Sequence, residues 1–313
     1  MCIWLTYNIY QQIQQQKDLG KAFTTIQTSL QTTAAWKLYV VIILMFMNWG
    51  IEAKKWQLLI SHIQHISFLR AFRAVFTGQA IAFNTLNGVG EYLGRIVYLA
   101  DGNKIRAIAL SIIGSISQLI ITLLMGIVGL LLLHLSIFQS PTILNGLSKL
   151  WLNGLMYALS LVTICLVIFY FNISWLAQFI EKLPYIHQYR YYFEKIEDLH
   201  WKELTFILLL SFARYVVFVF QYLLLLNLFG VDANLFSLAC MVCVLFLVLA
   251  VIPTIPIAEL GVRGEASKQL FGLLSTNALG IVFSVVVVWF INRVLPAITG
   301  SLFVLGIRLF KNK

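Results

Sequence analysis

One stretch of this chain combines the residue types best suited to binding a ligand or exchanging protons. It is PTIPIAELGVRGEASKQLFG, residues 253–272, and it directly follows an apolar run. If the part after Pro256 is helical, Glu259 and Arg263 lie one turn apart on one face and can form an ion pair. A guanidinium paired in this way can exchange the carboxylate for a phosphate, which it binds through two parallel hydrogen bonds. The spacing therefore predicts an anion-binding site at Arg263. Glu259 and Glu265 would hold the cation when the site is empty, or exchange protons.

A second stretch, NGVGEYLGR at residues 87–95, repeats this combination of glycine, glutamate and arginine. Glu91 and Arg95 are again spaced for pairing on a helix. We therefore expect Arg95 to bind an anionic headgroup together with Arg263, and Glu91 to hold Arg95 when the site is empty or to exchange protons. Two more arginines, Arg214 and Arg293, interrupt long apolar runs. A charge at membrane depth costs at least about 2.5 kcal/mol unless it is paired or hydrated. We expect both Arg214 and Arg293 to assist in binding the anionic headgroup. The orientation of Arg214 stays open, because it either points into the bundle or extends to the nearer membrane surface.

Other interpretations of these charged residues remain open at this point. The ion pairs could simply fasten loops, the chain could be a membrane-embedded transferase acting on a lipid phosphate, or it could be an accessory subunit that recognises lipid. No zinc-protease motif, nucleotide-binding loop or DxD-like cluster, and no His-Asp-Ser or Cys-His combination, stands at a predicted membrane face of the sequence. We therefore expect a protein that is not an enzyme and needs no cofactor. If it transports a lipid, an ion gradient or the concentration gradient of that lipid would supply the energy.

The composition determines which elements must position these residues. Hydrophobic residues make up 60% of the chain, charged residues only 11%, and the mean hydropathy is +0.89. In a soluble domain about a quarter of the residues are charged. The long uncharged runs predict an all-α, polytopic helical membrane protein with about six or seven spans, because barrel strands would show short alternating segments instead.

The net charge of +10 is concentrated beside the apolar runs. This placement is typical of loops on the cytoplasmic side of a membrane and of contact with anionic headgroups. We therefore expect a multi-pass protein of the cell inner (cytoplasmic) membrane whose partners are membrane lipids, anionic or polyprenyl-phosphate-linked, and not nucleic acid. Cys240 and Cys243 fall inside an apolar run and are interpreted as small buried hydrophobic residues.

Within one membrane domain, 1–313, four segments depart from simple spans. Residues 1–36 resemble the remnant of a first helix followed by a polar segment. Glycines and charges predict broken, re-entrant elements at 74–100 and 253–275, because irregular backbone at membrane depth must be buried or line a wet cavity. Residues 172–203 carry aromatics at near-helical spacing and form either an interfacial amphipathic helix or an ordinary loop with an aromatic face.

The two charged motifs carry a family resemblance. FNTLNGVGEYLGRIVYL resembles the asparagine-led Gly-Glu-Arg signature, and PTIPIAELGVRGEA the proline-led Gly-Val-Arg-Glu signature, of the flippase-like transmembrane domain of lysylphosphatidylglycerol synthases. Where many members have Pro-Gly-Gly before the second motif, this chain has Pro-Ile-Ala followed by Glu259.

This resemblance implies that the chain moves a lipid between leaflets, and it adds Asn87 to the candidate substrate-binding residues. In the two-part members a separate soluble domain attaches the amino acid. Because the sequence stops at Lys313 without such a domain, we expect no synthesis of lysyl lipid from these residues.

Overall fold

The protein is described from a computed structural model. It describes residues 31–83, 85–136, 149–172, 199–252 and 256–311, together with a few positions between 20 and 28. Most of the predicted N-terminal segment, and residues 173–198 of the predicted interfacial segment, lie outside the described residues.

Helices account for nearly all of the described chain. The α-helices are α1 Trp36–Ile60, α2 Phe68–Ala82, α3 Gly90–Ile96, α4 Lys104–Ser136, α5 Lys149–Phe171, α6 Trp201–Leu228, α7 Leu235–Val251, α8 Pro256–Phe271, α9 Ala278–Trp289 and α10 Leu295–Lys311. A π-helical turn, Phe290–Val294, joins α9 to α10, and short 3-10 turns occupy Thr33–Ala35, Leu86–Gly88 and Asp101–Asn103.

Five helical segments in the described residues are long and apolar enough to cross a membrane: Thr33–Ile60, Asp101–Leu135, Asn153–Phe171, Trp201–Leu228 and Ala278–Leu305. Helix α7, Leu235–Val251, is apolar but shorter. A helix needs about 20 apolar residues to span the hydrocarbon core, or somewhat fewer in a thin bilayer. The predicted class, a polytopic helical membrane protein, is confirmed.

By its internal contacts the chain divides into two units. The first unit comprises Met1–Met47, Thr122–Ala158 and Val216–Leu295, and the second comprises Asn48–Ile121, Leu159–Tyr215 and Pro296–Lys313. Each unit contains one of the two motifs that the sequence analysis singled out.

In the second unit, α2 and α3 form a tight helical hairpin. Helix α2 is capped by the Ser67 hydroxyl, and the turn after it includes Gly88 at a φ of 70°, a left-handed conformation that favours glycine. A Cβ atom on Gly94 would lie only 2.5 Å from the Cα of Gly78, so the two backbones meet where neither residue has a side chain. The chain is thus broken inside the predicted 74–100 element; its entry and exit on one side of the membrane stay a prediction.

In the first unit, Asn277 fixes the start of α9. Its side-chain oxygen accepts from the N–H of Gly280, and its amide nitrogen donates to the carbonyl oxygens of Phe229 and Gly230 at 3.0 and 2.9 Å. The described part of the predicted 253–275 element is helix α8, which begins at Pro256. Proline is favourable at a first helical position because its missing N–H would have no partner there.

Candidate functional site

The motif in the first unit forms a cluster of two guanidiniums on one carboxylate, which we call the arginine-pair site: Glu259, Arg263 and Arg293. Arg263 and Glu259 form the predicted ion pair across one turn of α8. The second oxygen of Glu259, Oε2, lies 3.5 Å from Nη2 of Arg293. Arg263 also donates from Nη1 to the hydroxyl of Tyr222, at 2.7 Å.

The π-helical turn brings Arg293 to this site. Such turns are single insertions in α-helices and frequently occur at functional positions. Pro296, which follows the turn, has no N–H to donate to a preceding carbonyl, so a regular α-helical ladder cannot continue there. By residue count Arg293 lies near the middle of the apolar segment Ala278–Leu305.

The arginine-pair site is only partly enclosed. The side chain of Arg293 is 36% exposed, compared with 13% for Arg263 and 11% for Glu259. Two groups at the site are buried without a hydrogen-bond partner among the described residues: Nε of Arg263 and the hydroxyl of Ser267, which lies one turn further along the same face of α8. The site therefore has unused hydrogen-bonding capacity beside an accessible cation.

The structure places Glu265 away from this cluster. Its carboxylate pairs with Lys268 at 2.5 Å and accepts from the side-chain amide of Gln269 at 2.9 Å. Two residues along a helix correspond to about 200° of rotation, so Glu265 and Arg263 project to opposite sides. The partner of Glu265 in the described structure is thus a lysine and not an arginine.

The motif in the second unit belongs to a larger network that we call the Glu52 cluster. Glu52, on α1, accepts from Arg95 through Oε1 at 2.8 Å and from Arg214 through Oε2 at 2.6 Å, and its Oε2 lies 2.9 Å from the ammonium of Lys55. Arg95 also forms the predicted pair with Glu91. One buried carboxylate thus joins α1, the hairpin and α6.

Arg214 points into the second unit. Its Nε donates to Oδ1 of Asn48 at 2.6 Å, and its guanidinium lies 4.9 Å from the ring centroid of Trp49. Such a cation–π contact is strengthened where water is excluded. Of the two alternatives left open by the sequence, the inward orientation is the one present.

Lys55 completes the Glu52 cluster. It is buried and donates to the carbonyl oxygen of Gly114 at 3.1 Å and to the hydroxyl of Ser211 at 3.4 Å. The sequence analysis did not select Glu52, Lys55 or Asn48. A usable signal was present, because Glu52 and Lys55 are three residues apart inside an apolar run, the spacing of an intrahelical ion pair.

Asn87, the remaining candidate, lies in the 3-10 turn Leu86–Gly88. Its side chain is outside the described part of the structure.

The two clusters differ in what they can do. In the Glu52 cluster every carboxylate oxygen of Glu52 is already bonded, and Glu52, Lys55 and Arg95 are each at most 5% exposed. Such a network fastens helices together, since removing one member would leave buried charges uncompensated. The arginine-pair site has a guanidinium, that of Arg293, which is accessible from outside the site, and this suits it to exchange a ligand.

Fold and sites together define a multi-pass helical membrane protein that carries clusters of ion pairs between its helices. The chain belongs to the lysylphosphatidylglycerol synthase TM region family, whose model matches residues 19–300. Among the curated proteins no match to the chain is found.

Proposed function

We propose that this protein is a flippase-like translocase of the cell inner membrane that moves an anionic or phosphate-bearing lipid between the two leaflets. In this proposal Arg263 and Arg293 bind the lipid headgroup without chemically altering it. Membership of a family named for a lipid synthase supports a role in lipid metabolism, and the arginine-pair site suggests the chemistry of the ligand.

The observation that carries the proposal is that one carboxylate, Glu259, serves two guanidiniums. A charge inside a membrane protein is stable only when it is paired or hydrated. With one negative and two positive charges, this cluster has an excess of one cation. A headgroup phosphate would supply the missing anion.

The geometry favours exchange of ligands over permanent pairing. A guanidinium presents five donors in a planar fork that matches a phosphate, and charge-assisted bonds of this kind are the stronger class of hydrogen bond. Arg263 uses Nη1 for Tyr222 and Nη2 for Glu259, which leaves Nε available. An arriving phosphate would take the place of Glu259 on one or both arginines, and Glu259 would return after the lipid has left.

In the same proposal Glu91, Arg95 and Arg214 support the fold instead of touching lipid. Their charges are engaged in the enclosed Glu52 cluster. Glu265 would act on Lys268 and contribute indirectly through the position of α8.

The proposal is tested by mass spectrometry of the lipids that remain on the detergent-purified protein. We expect wild type to retain one anionic or polyprenyl-phosphate lipid above its share of the membrane. Arg263→Gln and Arg293→Gln should each lower that enrichment about tenfold, because a hydrogen bond between charged groups contributes about 1.5–3 kcal/mol.

The matched control is Arg70→Gln, which removes an arginine from the exposed side of α2. It should retain the wild-type set of lipids. If wild type and all variants retain lipids in the proportions of the bulk membrane, the arginine-pair site does not select a headgroup and the proposal fails.

A further inference from the structure

The Glu52 cluster contains three buried nitrogen donors that have no acceptor among the described residues. They are Nδ2 of Asn48, Nε1 of Trp49 and Nε of Arg95. All three residues are at most 3% exposed. Buried donors in folded proteins nearly always have a partner, either in the protein or in a bound species.

The three donors belong to one neighbourhood. The amide oxygen of Asn48 accepts from Arg214 at 2.6 Å, and the ring of Trp49 lies beneath the same guanidinium. Arg95 is bound to the same carboxylate as Arg214, at 2.8 and 2.6 Å. Asn48 and Trp49 are adjacent in sequence, so their unpaired N–H groups start from neighbouring positions on α1.

These three N–H donors lack a hydrogen-bond acceptor among the described residues. Both oxygens of Glu52 already receive cationic donors. Three cationic side chains and two carboxylates meet in the described part of the cluster: Lys55, Arg95, Arg214, Glu52 and Glu91. A positive surplus within helices of a membrane protein favours an anion over a neutral water molecule as the missing acceptor.

We infer that the second unit binds a small inorganic anion of the chloride type at the N–H groups of Asn48, Trp49 and Arg95. The enclosure of these residues excludes a lipid headgroup, which would need an open side. The anion would neutralise the Glu52 cluster and link α1 to the α2–α3 hairpin. This inference is independent of the lipid proposal, because it concerns different residues.

The test is thermal unfolding of the full chain in detergent, followed by tryptophan fluorescence. Sodium chloride is titrated against sodium gluconate at constant ionic strength, so that only the small anion changes. An anion that binds the folded state alone raises Tm with its concentration. We expect a rise of about 3 °C or more when chloride exceeds its Kd about tenfold.

Two variants locate the effect. Asn48→Asp replaces the unpaired amide nitrogen by an oxygen that carries the missing negative charge, and it should abolish the response to chloride. Trp49→Phe removes one donor and should raise the chloride concentration needed for half the effect about tenfold. The matched controls are Asn153→Asp in α5 and Trp36→Phe, an exposed tryptophan, and both should respond as wild type does.

The wild-type protein provides a second readout if a variant fails to fold. Bromide introduced into crystals of the full chain should give an anomalous peak within hydrogen-bonding distance of these three nitrogen atoms. Equal Tm values for wild type in chloride and gluconate, or density for water alone at this position, would overturn the inference. A chloride response that persists unchanged in Asn48→Asp and Trp49→Phe would overturn it as well, because it would arise elsewhere.

Discussion

Replacing Glu52 by glutamine should destabilise the protein more than any other single change of one carboxylate in the described residues. Glu52 is 5% exposed and contacts three cations, Lys55, Arg95 and Arg214, at 2.6–2.9 Å. Glutamine preserves the shape but removes the charge, and its amide nitrogen turns two donor hydrogens towards the cations. Removing one partner of a buried ion pair costs about 3–5 kcal/mol.

The expected fall in Tm follows from this free energy. One kcal/mol corresponds to about 2–4 °C for chains of 150–250 residues, so Glu52→Gln should lower Tm by about 6–20 °C. The assay is thermal unfolding in detergent monitored by tryptophan fluorescence. The matched control is Glu203→Gln, because the Glu203 side chain is 46% exposed and its ion-pair contact is His62 at 3.5 Å. An exposed pair of this kind contributes at most about 1 kcal/mol.

A Tm for Glu52→Gln that equals that of Glu203→Gln would refute this reasoning. It would mean that the Glu52 cluster is hydrated in solution, and that its ion pairs do not fasten α1 to the hairpin and α6.

Two further predictions concern the packing that positions the clusters. Gly94→Ala should lower the free energy of unfolding by about 1–3 kcal/mol, because its Cβ would lie 2.5 Å from the Cα of Gly78. The control is Gly102→Ala, whose Cβ would meet nothing within 4 Å, and it should leave Tm nearly unchanged in the same assay. Asn277→Ala should lower the free energy of unfolding by about 1–2 kcal/mol, since it removes the cap of α9 and leaves two backbone carbonyls without a donor; an unchanged Tm would show that water replaces these bonds.

The sequence predicts those features that depend on local spacing. The fold class follows from the length of the apolar runs. The pairs Glu91–Arg95 and Glu259–Arg263 follow from the four-residue separation on a helix, and both are present. The turn at Gly88, where φ is 70°, falls where a residue without a side chain is favoured, and α7 ends at Val251, shortly before the first of two prolines in the sequence.

Contacts between distant segments could not be predicted in this way. The partner that Arg95 and Arg214 share is Glu52, which is 43 residues from Arg95 and 162 from Arg214 along the chain. Residue spacing carries no information about such pairings, because they depend on which helices pack together. Glu265 shows that closeness in sequence can also mislead. It lies two residues from Arg263, which suggested a shared site, but the rotation of the helix directs its side chain to Lys268.

The central claim, that the protein moves an anionic lipid, is tested most directly by reconstitution into vesicles that contain acyl-labelled phosphatidylglycerol. The label is first placed in the outer leaflet, and the fraction that becomes protected from a membrane-impermeant quencher is followed over time. We predict that wild type transfers label to the inner leaflet, that Arg263→Gln slows transfer about tenfold, and that the lipid masses stay unchanged. A protected fraction no greater than in protein-free vesicles would contradict the proposed function, and a new lipid mass would identify a transferase instead.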